Sequence, residues 1–146
     1  MKVRLALLGA CVSVLALAAF AALGARPASA ASVLRLSFDK VETAPGIWHG
    51  TATGPISGPI VVTLDSLDTT GAVWHIAVDW SIDAGSESFT SHLAGVLDPS
   101  TGSIVLNGQV GSGYLSGAQT HLTAAVVDPA DFEIAGTLQI APNSAS

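Results

Sequence analysis

The chain has 146 residues and a formal net charge of −6, but its charges are unevenly placed. Three of the five basic residues (Lys2, Arg4 and Arg26) lie in the first thirty, with the single cysteine, Cys11. Residues 31–146 keep two cations, Arg35 and Lys40, against all eleven acidic residues, a net charge of −9. That excludes a phosphate-binding footprint for nucleic acid. Without thiols it also excludes a disulfide framework, a zinc knuckle and a cysteine nucleophile.

Residues 1–30 read as a signal peptide. Met1 to Arg4 is a short basic start, Leu5 to Gly24 is an apolar helical run, and Pro27 breaks it. Ala28-Ser29-Ala30 then offers small residues for signal peptidase, with cleavage expected before Ala31. The competing readings are a retained membrane anchor, since about 20 apolar residues span a bilayer, and lipidation at Cys11, which sits too early in the run. The expected location is secreted, periplasmic or otherwise extracytoplasmic, with no membrane association after cleavage, and the Ala-rich leader points to a bacterial source.

Residues 31–146 read as a single β-barrel domain. Period-two alternation recurs, thirteen glycines and six prolines punctuate it, and no stretch keeps helical spacing. Eight strands are predicted, at about 32–39, 46–54, 58–67, 72–83, 86–98, 102–110, 114–127 and 131–141. The fourth is the clearest: Trp74, Ile76, Val78, Trp80 and Ile82 share one face, and His75, Ala77, Asp79 and Ser81 the other. A tight turn placing Ile82 opposite Glu87 sets Trp80 beside Phe89 and Ile76 beside Leu93. A three-residue turn at Asp68 to Gly71 places Leu64 opposite Ile76, and Asp98-Pro-Ser-Thr-Gly102 is a type I turn sequence. Gly111-Ser-Gly113 is read as the sixth turn. Successive hairpins make an all-β meander, and eight strands close into an antiparallel up-and-down barrel without exposed edges. Its interior is expected to be packed rather than hollow, with Gly95, Gly108, Ser116, Ala118 and Gly136 offsetting the tryptophans.

Candidate functional residues fall into two sets. Trp48, Trp74, Trp80, Phe89 and Tyr114 form an aromatic set for an apolar ligand; Trp48 precedes His49 at a barrel mouth, and Tyr114 follows a glycine-rich turn, where it gates or plugs a barrel end. The predicted register also gathers Asp65, His75, Asp79 and His92 on an outward face. Imidazoles and carboxylates within cross-strand reach suit a divalent metal or an acid–base pair, but a solvated outer face is the simpler reading, and no metal or cofactor is expected. Glu87, where the apolar face of the fifth strand meets a turn, is a further candidate acid. No Gly-x-Ser-x-Gly elbow or P-loop occurs, and Arg35 and Lys40 are too few to hold an anionic substrate.

Gly50-Thr-Ala-Thr-Gly-Pro-Ile-Ser-Gly58, Gly71-Ala-Val-Trp-His75, Gly95-Val-Leu-Asp98 with Thr101-Gly102, Leu106-Asn-Gly108 and Gly117-Ala118 resemble a group of small secreted bacterial proteins of unassigned function. That group is similar in architecture to the barrels of allene oxide cyclase and dirigent proteins. The resemblance covers most of residues 46–142 and rests on turn glycines and core positions. It implies a barrel, a trimeric habit and small apolar or phenolic substrates inside it. None of the polar residues those families use is matched, so no catalytic role transfers.

The expected function is a secreted barrel that binds a small apolar molecule or self-associates as a homo-oligomer, without nucleic acid. The alternatives are a cyclase-like or dirigent-like enzyme working in the cavity, and a structural envelope or matrix component. Inward polar residues read as Ser and Thr with no ionisable group, which favours binding over catalysis.

Overall fold

A computed structural model describes residues 31–143; the signal peptide expectation falls on residues 1–30, outside the described residues. Eight strands run in chain order: β1 (Leu34–Ala44), β2 (Ile47–Thr53), β3 (Gly58–Asp68), β4 (Trp74–Ile82), β5 (Phe89–Asp98), β6 (Ser103–Gly113), β7 (Gln119–Asp128) and β8 (Glu133–Ala141). Each pairs antiparallel with the next, and β1 pairs with β8 to close an up-and-down barrel. The closing seam runs from Leu34 opposite Ile140 to Lys40 opposite Ile134, so the chain enters and leaves the barrel at the same end.

Alternation decides what faces inward. Leu36 and Phe38 of β1, Ile60 and Val62 of β3, and Leu138 and Ile140 of β8 are buried, while the residues between them are mostly exposed or half-buried. The outward face carries Thr51, Thr63, Asp79, His92, Asn107 and Gln109 among small apolar residues. That is the inverse of a lipid-spanning barrel, which is apolar outside and polar within.

Two strand boundaries differ from expectation. β1 runs on past Asp39 to Ala44, because Lys40 continues the inward series of Leu34, Leu36 and Phe38 instead of ending it. β7 begins at Gln119, not Tyr114: Leu115 adopts φ 60° and Gly117 φ 87°, so this stretch is a turn, and Gly111 to Gly113 belong to β6.

Two registers also differ, each with a local cause. Residues 83–88 form a longer connection containing one 3-10 turn at Gly85–Glu87, so Ile82 pairs with Phe89, Val78 with Leu93 and Trp80 with Ser91. The displacement is two residues, which keeps every side chain on its predicted face. On the other side of β4 a bulge at Asp65 and a five-residue connection set Leu64 opposite Val78 and Asp68 opposite His75.

The two ends of the barrel are built differently. At the end where β1 begins and β8 ends, Ile56 from the β2–β3 connection folds in as a plug, with Leu36, Ile82 and Val110 buried in the same core. Trp80, fully buried, stacks on Phe89 (centroids 5.6 Å apart, 25°) and meets Phe38 edge-on (6.4 Å, 71°). Such aromatic pairs are worth about 0.5–1.5 kcal/mol each beyond the area they bury. Ser91 and Thr120 share a buried hydroxyl contact of 3.0 Å, and Ser91 also donates to the Gln109 carbonyl at 2.9 Å, so both are satisfied. The expectation of a packed interior therefore holds for this half only. The inward glycines, expected to offset the tryptophans, instead let strands touch. A Cβ on Gly108 would lie 1.8 Å from the His92 carbonyl oxygen.

Candidate functional site

The other half of the barrel contains a cavity of about 100 Å³. Phe38, Val78, Ile104 and Leu122 line it, together with Trp48, Trp74, Leu97 and Phe132. That is the scale of a small ring: an engineered apolar cavity of about 150 Å³ holds benzene. A groove of about 300 Å³ continues outward over Trp74, Leu97, Val126 and Phe132 to the β5–β6 turn. The four shared residues make cavity and groove one continuous apolar surface.

One charged side chain lies in the cavity wall. Lys40 is only 8 % exposed, although it is one of the two cations among residues 31–146. Its Nζ sits 4.9 Å from the centre of the Trp48 ring, in cation–π range. No ion pair or hydrogen bond reaches it among the described residues. Burial without a counter-charge penalises the ammonium, and its pKa falls from 10.5 to about 8. The expectation that no ionisable group faces inward is thus corrected by Lys40. The signal was present in the sequence, because the alternation Leu34, Leu36, Phe38 points residue 40 inward. The first strand expected from the sequence ends at residue 39, one short of this position.

The mouth is held by acidic side chains. Asp68, Asp98 and Asp128 each accept the backbone N–H two residues on, at 2.9, 2.8 and 2.8 Å, and Glu42 accepts the Gly46 N–H at 2.8 Å. All four turns at this end are therefore pinned by a carboxylate. Hydrogen bonds from Thr70 and from Ser100 hold Asp68 and Asp98 below the usual carboxylate range. At the plugged end serines do this work: Ser57 bonds Gly54, and Ser88 bonds Ala84.

Leu67 and Phe132, which line the cavity, are exposed at this end, as are Val73 and Val127 near them. Trp48 spans part of the opening, its indole N–H donating to the Phe132 carbonyl at 3.2 Å. Phe132 takes a left-handed φ of 46°, uncommon for a bulky residue, while its ring stays 46 % exposed over the cavity.

The aromatic candidates separate. Trp48 and Trp74 line the cavity, whereas Trp80 and Phe89 belong to the packed half. Trp80 carries a fully buried side-chain nitrogen without a hydrogen-bond partner, its Nε1. Tyr114 is exposed in the β6–β7 turn at the plugged end, and neither gates nor fills the interior. Glu87 lies in the 3-10 turn at the same plugged end.

The outer polar cluster is split by the two register differences. Asp79 and His92 pair directly, Oδ1 to Nδ1 at 2.9 Å, while Asp65 is displaced by the bulge and His75 stands opposite Asp68 and Val96. No three His, Cys, Asp or Glu side chains converge on a metal-sized site among the described residues. His49 bonds Thr43 at 2.6 Å, and His121 bonds Asn107 at 2.7 Å, both on the exposed face.

No family model, curated protein or solved structure matches this chain.

Proposed function

We propose that this protein binds a small apolar molecule in the open half of its barrel. The observation that carries the reading is the cavity itself: an apolar chamber of about 100 Å³, continuous with an outer groove and stopped at its base by a packed plug. Concave apolar sites with few polar groups are the usual form of small-molecule sites. Binding is favoured over catalysis because Lys40 is the sole ionisable side chain in the lining, with no second group to complete an acid–base pair. The basic start, apolar run and Ala28-Ser29-Ala30 support export from the cytoplasm.

Ligand-observed NMR with toluene tests the reading. Saturable binding is expected, and Leu97→Trp, which fills the junction of cavity and groove, is expected to abolish it. No saturable binding by the folded protein would refute the proposal.

A further inference from the structure

Lys40 sets the chemistry of the ligand. The geometry points to its amine as a covalent anchor, condensing with the carbonyl carbon of a small apolar aldehyde in the cavity to form an imine. This rests on the reading of the cavity as an apolar-ligand site.

The other chemistry suited to a buried lysine is an acidic head group, and three features disfavour it. A buried carboxylate needs several donors for its lone pairs, and the Trp48 N–H beside Lys40 is already taken by Phe132. The entrance is ringed by Glu42, Asp68, Asp98 and Asp128, which repel an anion. The barrel as a whole carries two cations against eleven acids. A neutral aldehyde meets none of these obstacles.

The step balances without a further reactant. The Nζ lone pair attacks the carbonyl carbon, the π pair moves to oxygen, and protonated oxygen leaves as water while nitrogen loses its hydrogens. Amine and aldehyde become imine and water. An apolar chamber disfavours the reverse hydrolysis by limiting water.

Attack requires the neutral amine. The groups facing Lys40 are Glu42 at the mouth on its own strand, Gly50 and Trp48 from β2, and Ile134 from β8; of these only Glu42 is ionisable. With a pKa of about 8 in place of 10.5, the amine is about two hundredfold more often neutral at pH about 7.5, partly offset by the lower nucleophilicity of a weaker base.

The test treats the full chain with benzaldehyde and borohydride, which reduces an imine to a stable benzylamine, followed by peptide mass mapping. The chain has two lysines, Lys2 and Lys40, so the adduct is assigned without ambiguity. Lys40 is expected to be labelled about tenfold faster than Nα-acetyl-lysine in the same tube at pH about 7.5. Toluene is expected to suppress that labelling, and urea to lower it to the rate of the free amino acid. Lys40→Met is expected to remove the adduct from its peptide; if that variant fails to fold, the toluene and urea arms decide alone. Labelling no faster than free lysine, or undiminished by toluene, overturns the proposal. If toluene still binds by NMR in that case, the cavity reading survives and only the anchor falls; if it does not bind, both fall. Saturable binding of benzoate with no imine from benzaldehyde also overturns it, in favour of an acidic ligand.

Discussion

Replacing Lys40 by methionine is expected to stabilise the barrel, which is unusual for a residue in a ligand site. The folded state lowers the lysine pKa from 10.5 to about 8, so holding its ammonium costs about 3 kcal/mol at every pH below 8. That penalty fades as pH rises from about 8 to 10.5, because the unfolded chain then binds the extra proton. Methionine has a similar reach and fits the apolar wall. Loss of the Trp48 contact takes back about 1 kcal/mol, leaving a gain of about 2 kcal/mol near neutrality. For a domain of this size that is roughly 8 °C in Tm. Urea unfolding followed by tryptophan fluorescence, for both proteins from about pH 6 to 10, measures it. Glu42 is the one carboxylate sharing the inward face beside Lys40, and it accepts the Gly46 N–H; burial alone lowers the Lys40 pKa. The advantage of Lys40→Met should shrink steadily above pH about 8. A variant less stable than wild type near neutrality, or a gap that ignores pH, would refute the reasoning.

Gly108→Ala should cost about 3 kcal/mol in urea unfolding, since its Cβ would meet the His92 carbonyl at 1.8 Å; Gly111→Ala, with nothing within 4 Å, should stay within about 0.5 kcal/mol. Trp48→Phe removes the hydrogen bond to the Phe132 carbonyl, and is expected to lower stability by about 1 kcal/mol and speed amide exchange in the β7–β8 turn. His92→Ala should change stability by less than about 0.5 kcal/mol, because its pair with Asp79 is exposed on both sides (56 % and 68 %). On acidification, the turns at Asp68 and Asp98 should hold until below the ordinary carboxylate range and then loosen, since their depressed pKa values confer stability that is lost only as pH falls through them; amide exchange at Thr70 and Ser100 reads this.

The eight strands and their order were legible because period-two alternation and turn glycines carry both. Faces survived even where registers did not, since the β4–β5 displacement is two residues and a pleat repeats every two. Loop geometry was the weak link. The Asp65 bulge and the 3-10 turn at Gly85–Glu87 have no strong sequence signature, yet they decide which outer residues meet, and so split the predicted His and Asp cluster. Hollowness was not legible at all. Trp74 and Trp80 occupy equivalent positions on one strand, but one lines a cavity and the other a packed core. Ile56 reaches in from a connection at one end and is fully buried, whereas Phe132, from a connection at the other, stays 46 % exposed over the cavity.

The seam between β1 and β8 has a consequence for presentation. Strand β1 begins at Leu34 and β8 finishes just past Ile140 opposite it, on the side away from Lys40, Trp74 and Phe132. Whatever fastens the protein by either terminus, whether a surface, a resin or a fused neighbour, turns the opening toward the surroundings. A sensor built by immobilising the chain through its tail would thus hold every molecule with its entrance outward.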